Sequence, residues 1–105
     1  MKNIQKKIRV LVFEPQQEAK EMCIKNDLVQ FQKIVGGYIE LVRITNDVVM
    51  LCNEEFLIHD YQPNRIVNGV VIHGTFLLIG DVSPEFGSLS DDQIKIFSDK
   101  WVEIK

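Results

Sequence analysis

The chain is poor in the residues that usually announce chemistry. Among 105 residues there are two histidines and two cysteines. Cys23 and Cys52 are far apart in sequence and form no C-x-x-C pair, which excludes a zinc knuckle or a thioredoxin-like dithiol. Both sit among apolar neighbours and read as small buried hydrophobes. A disulfide would require the fold to make them spatial neighbours.

Basic charge is also scarce. No basic run is longer than Lys6-Lys7, and the formal net charge is −3. Duplex DNA binding therefore lacks its electrostatic basis. The acidity is too mild and scattered for a mimic of DNA. No apolar run reaches membrane-spanning length. The run in "KKIRVLVF" ends at Glu14-Pro15 without a small-residue cleavage site, so it reads as a strand and not as a signal peptide. A cytoplasmic location with no membrane partner is expected. Gly-x-Ser-x-Gly, Walker, Rossmann, H-x-H and H-E-x-x-H patterns are all absent, as are internal repeats and low-complexity tracts.

What remains is an ordinary globular composition, 46% apolar and 26% charged. It predicts a single domain over 1–105 with an adequate but not generous core. Homo-oligomerisation would add to that core.

The elements can be read in turn. "KIRVLVF" is a strand with Ile8, Val10 and Val12 on one face and Leu11 and Phe13 on the other. Lys20 to Lys25 reads as a second short strand. "NDLVQFQKIVGG" carries helix grammar: Asn26 or Asp27 caps, Gln30 stands where a capping box needs it, and Gly36 fits the left-handed end. "YIELVRI" and "VVMLCN" flank the turn residues Thr45 to Asp47 and predict a β-hairpin. Ile39, Val42 and Ile44 do not share one parity, which calls for a bulge or two covered faces. A short strand is expected at Phe56 to His59, with a turn around Pro63-Asn64. Val70 to Val82 reads as one long central strand interrupted by Gly74, and "SPEFGS" as a loop. In "LSDDQI", Ser90 and Gln93 make a capping box, while Leu89 and Ile94 make a hydrophobic staple. Ile94, Phe97 and Trp101 form the apolar stripe. The sum is α+β: a mainly antiparallel sheet of about five strands with two helices packed on it.

Three motifs then stand in a fixed order: "FQKIVGGYIELV", "CNEE" followed by "PNR", and "HGTFLLIGD", with a "SLSDDQ" helix start behind them. In this order and spacing the chain resembles the bacterial and phage family catalogued as domain of unknown function 3846, from Ile8 to Gln93. The resemblance implies a small protein of the kind encoded by phages, plasmids and the bacteria that carry them. It implies no catalytic residue. Phe56 stands where that family tends to have glycine, so the tight turn implied there has no glycine to support it.

Several side chains could carry function. Glu54, Glu55, His59 and Asp60 are a carboxylate and histidine set, but neighbours on a strand point to opposite faces, so a polar strand end is the simpler reading. His59, His73 and Glu40 make only a minimal metal set without supporting spacing. The glycines of "VGGY" lie between helix and strand, the reverse of a phosphate loop. A binding pocket has more to draw on. Gly37 and Gly74 leave backbone amides uncovered, and Tyr38 offers a ring for stacking. Arg43, Arg65 and His73 are candidate partners for an anion, and Asn53 and Asn64 can read polar edges. Structural alternatives stand beside each: Tyr38 in the core, Arg43 solvated on a strand, Asn64 as turn chemistry. The expected function is non-enzymatic binding, with no cofactor, no metal and no catalytic residue. The partner would be a small anionic or nucleotide-like ligand of host defence signalling. The alternative is a module that inhibits or recruits a host protein.

Overall fold

The computed structural model describes residues 6–105, and the basic start at residues 1–5 lies outside them. Eight strands and two helices run in the order β1 (Lys7–Phe13), β2 (Lys20–Lys25), α1 (Leu28–Val35), β3 (Ile39–Arg43), β4 (Val48–Asn53), β5 (Pro63–Val67), β6 (Val70–His73), β7 (Phe76–Val82), β8 (Glu85–Gly87) and α2 (Asp91–Ser98). The main sheet is antiparallel throughout, in the order β2-β1-β7-β4-β3, with β8 added to the end of β7. β5 and β6 form a separate hairpin.

Both faces of the sheet are covered. Ile8, Val10, Val12, Val49, Leu51, Leu77 and Ile79 pack beneath α1, which contributes Phe31 and Val35. Leu11, Phe13, Met50, Cys52, Phe76 and Leu78 pack on the opposite face. That face is closed by Val67 and Ile72 of the hairpin and by Leu89, Phe97 and Trp101 around α2. Phe13 and Phe76 stack at 4.7 Å and nearly parallel at its centre. The alternation expected for β1 holds. The mixed parity of β3 comes from two covered faces and not from a bulge, because its register with β4 runs unbroken from Ile39–Asn53 to Arg43–Val49.

The helix ends follow their sequence signals, except that the Gln30 side chain does not return a bond to complete a capping box at α1. Asp27 accepts a bond from the Gln30 N–H, and Gly36 at φ 85° ends α1. Ser90 and Gln93 form both bonds of the capping box.

Four expectations need correction. The stretch from Val70 to Val82 is two strands, not one: Gly74 takes φ 79° and sends β6 to the hairpin and β7 to the main sheet. Pro63-Asn64 is not a turn but the start of β5, and the turn is Asn68-Gly69, with φ 51° and 79°. Those angles in a two-residue loop are those of a type I′ hairpin. Phe56 to His59 forms turns, and β8 lies inside "SPEFGS". The turn at Phe56 needs no glycine, because its N–H donates to Asn53 O while φ stays negative. A fifth concerns Cys23, which is exposed on β2 and not a buried small hydrophobe; Cys52 is buried on β4, and both cysteines are free.

Candidate functional site

The junction from α1 to β3 is where the chain turns most sharply. Gly36 and Gly37 both donate to Gln32 O, closing the helix. Asn53, at the end of β4, supports the junction from beneath. Its Nδ2 donates to Val35 O at 3.2 Å, and its Oδ1 accepts from the Glu55 N–H at 2.8 Å. A side chain at 37 would meet this amide: a Cβ there would lie 2.9 Å from Asn53 Nδ2. Glycine at 37 is therefore required by close packing. The Glu54 N–H donates to Tyr38 O, which ties β3 to the loop after β4.

Two open cavities adjoin at Gly36. One, of about 430 Å³, is bounded by Gln32, Gly37, Tyr38, Asn53, Glu55 and His59. The other, of about 390 Å³, is bounded by Pro15, Ile34, Asp60, Tyr61, Gln62, Gly74 and Thr75. Tyr61 stands between Gly36 and Gly74. A Cβ on Gly36 would lie 3.1 Å from its hydroxyl, and one on Gly74 would lie 2.8 Å from its ring. The His59 ring rests on Tyr61 at 4.9 Å. Tyr38 is 69% exposed, so it is a free ring at the cavity and not a core residue.

The chemistry of this cleft is that of acceptors. Glu55 and Asp60 border it, the C-terminal end of α1 adds its partial negative charge, and no lysine or arginine borders either cavity. Such a site favours hydrogen-bond donors on the ligand and disfavours phosphate.

The eight predicted residues divide accordingly. Gly37, Tyr38 and Asn53 meet in the first cavity, and Gly74 borders the second. His73 lies behind the cleft: its Nδ1 is 3.1 Å from Tyr61 O, which can only accept, so that bond requires the proton on Nδ1. The three candidate anion partners are not brought together. Arg43 lies at the other end of β3, pairing with Asp81 at 2.6 Å and donating to Thr45 O and Asn46 O. Arg65 and Asn64 are buried under the hairpin. Asn64 Nδ2 donates to Phe13 O and Gly74 O, and Arg65 donates to Asn64 Oδ1, Glu14 O and Gln17 O. Their bonds hold backbone, which is why the chain keeps polar groups at this depth. Tyr61, Gln32 and Gln62 are cleft residues that motif reasoning passed over. Glu55 and His59 do share a cavity, yet no ion pair joins their side chains. Among the described residues no cluster of three or more His, Cys, Asp or Glu could hold a metal.

The sequence model of one family, described as a domain of unknown function (DUF3846), matches residues 8–102. The chain belongs to this family. Comparison with curated proteins and with solved structures finds no match. The "VGGY" and "HGT" stretches of this DUF3846 domain supply Gly36, Gly37, Tyr38 and Gly74, so two motifs distant in sequence meet at one cleft. No helix among the described residues is long and apolar enough to cross a membrane.

The Arg43 pair yields a pH prediction. The Ser83 hydroxyl, then Arg43, holds the Asp81 carboxyl below its usual value. A carboxylate lowered on folding stabilises the fold above its unfolded pKa, about 3.9, and loses that contribution as pH falls through the folded value. Asp81→Asn should therefore melt below wild type at neutral pH. The two melting curves should converge as the pH drops below about 3.9. A constant gap down to the acid limit would contradict the assignment.

Proposed function

We propose that this DUF3846 domain is a non-enzymatic binding protein that takes a small, flat, polar ligand in the cleft between Tyr38 and Tyr61. The observation that carries this reading is the exposed Tyr38 ring beside a glycine-walled cavity of about 430 Å³. That volume lies within the usual range for small-molecule sites. A nucleobase suits it: the ring stacks on Tyr38, and exocyclic amino groups donate to Glu55 or Asp60. The ligand is then nucleotide-like but read through its base, with any phosphate directed to solvent. The setting, sequestration of a host defence signal by a phage or mobile-element protein, draws its support from the resemblance to a phage-associated family.

The test is a thermal-shift panel of nucleosides and nucleotides, with mass spectrometry of small molecules released from denatured protein. A binding ligand raises the melting temperature through linkage. Tyr38→Ala should remove that rise while leaving the unliganded melting temperature within about 4 °C, because substitutions of exposed side chains rarely move stability by more than about 0.5 kcal/mol. No shift with any member of the panel would overturn the reading.

A second reading has its own observation. Leu57 and Ile58 are each 77% exposed on the loop after β4, and β3 is a terminal strand of the sheet. A host protein could add a strand to β3 or cover these two side chains. A stoichiometric partner recovered from host lysate, and lost with Leu57→Ser plus Ile58→Ser, would favour this reading over the first. A second copy is one partner that could add to the same edge, and light scattering reads that directly.

A further inference from the structure

The hairpin and the main sheet do not close completely on one another. Between β3–β4 and β5–β6 lies a partly open crevice of about 140 Å³. Val42, Met50, Cys52, Phe56, Val67 and Ile72 form its walls. Glu40 and Asn68, both exposed, are the polar residues at its border.

The crevice is held open by its surroundings. Asn64 and Arg65 fix the base of the hairpin to β1 and to Gly74 by buried bonds. The type I′ turn at Asn68-Gly69 fixes its tip. Phe56 is wedged at the side, stacked on His73 at 6.0 Å. Moving the hairpin inward to fill the space would break those bonds. Apolar walls without partner atoms forfeit dispersion contacts, so an occupant of the right size is favourable. Apolar cavities of about 150 Å³ stay dry and admit benzene or xenon.

We infer that this crevice is a second binding site, for a small neutral apolar group the size of one aromatic ring or a branched five-carbon chain. Glu40 excludes an anionic end. A hydroxyl or amino substituent would donate to Glu40 or Asn68 at the border. The site shares no lining residue with the Tyr38 cleft.

Benzene is the probe. Titrated into the native protein, it should shift the Met50 methyl resonance saturably, leave the Met22 methyl unmoved, and raise the melting temperature. It should also slow alkylation of Cys52 by N-ethylmaleimide, with the exposed Cys23 as internal control. Burial pushes the Cys52 thiol up to about 11, so its reaction is slow to begin with and reports on access. Val42→Phe places a ring in the crevice and should abolish the Met50 response. An unmoved Met50 methyl at benzene saturation would overturn the site, as would an unchanged response in a folded Val42→Phe. If that variant does not fold, the native Cys52 rate decides, and a rate indifferent to benzene overturns the site.

Discussion

Replacing Asn64 with alanine should destabilise the protein by about 3–5 kcal/mol, the cost of leaving several buried polar groups unpaired. The reason is the number of partners left behind. Asn64 is fully buried, and its amide serves Phe13 O at 2.9 Å and Gly74 O at 2.7 Å while its carbonyl accepts from Arg65 Nη1 at 2.7 Å. Alanine strands two backbone carbonyls and one guanidinium N–H in the core. It also releases three segments at once: the end of β1, the start of β5 and the bend at Gly74. For a domain of this size the loss should appear as a melting temperature lower by more than about 12 °C. Asn64→Asp keeps the acceptor for Arg65 but sets a second acceptor oxygen against Phe13 O and Gly74 O, so it too should melt well below wild type. Differential scanning calorimetry decides the matter. A drop of under about 1 kcal/mol for Asn64→Ala would mean that water replaces the lost bonds.

The second large effect belongs to Gly74. Alanine there would have to hold φ 79° and place its Cβ 2.8 Å from Tyr61 Cδ2 and 3.0 Å from Cγ. The left-handed conformation alone costs about 1–2 kcal/mol for a non-glycine residue. With the collision added, the expected loss is about 2–4 kcal/mol. The collision is separable from the backbone strain. In the Tyr61→Ala background, Gly74→Ala should cost only the strain, about 1–2 kcal/mol. Equal costs in the two backgrounds would show that Tyr61 does not rest on Gly74. Because Tyr61 forms one wall of the cleft, Gly74→Ala should also weaken ligand binding more than its stability loss explains.

Much of the architecture was legible because local chemistry decided it. Ser90 and Gln93 cap α2 as their spacing requires, Gly36 ends α1, and β1 alternates because each face packs on a different layer. The break at Gly74 was hidden by its surroundings. The apolar run continues through Val70 and Val71, which are exposed in the hairpin, so hydropathy alone has no parity to mark where one strand stops and another begins. The hairpin did carry a signal, Asn68-Gly69 between "RIV" and "VVI", but Pro63-Asn64 competed with it as turn chemistry. The arginines show a different limit. A sequence displays cationic side chains without showing which carbonyls and carboxylates they will meet. Arg43 is engaged by Asp81 and Arg65 by Glu14 and Gln17, all through long-range contacts. That Tyr38 and Gly37 stand together at the junction was legible because the helix-to-strand turn is local. Tyr61 reaches the same place only through the bend at Gly74.

Binding of a base-like ligand in the Tyr38–Tyr61 cleft, through stacking and acceptor groups, is tested by an amide NMR titration of the native protein and of Tyr38→Ala with the four common ribonucleosides. At least one nucleoside should shift the amides of Gly36, Gly37, Tyr38 and His59 saturably, and the shifts should vanish in a folded Tyr38→Ala. No saturable shift at those residues with any nucleoside, or shifts that persist unchanged in Tyr38→Ala, would contradict it.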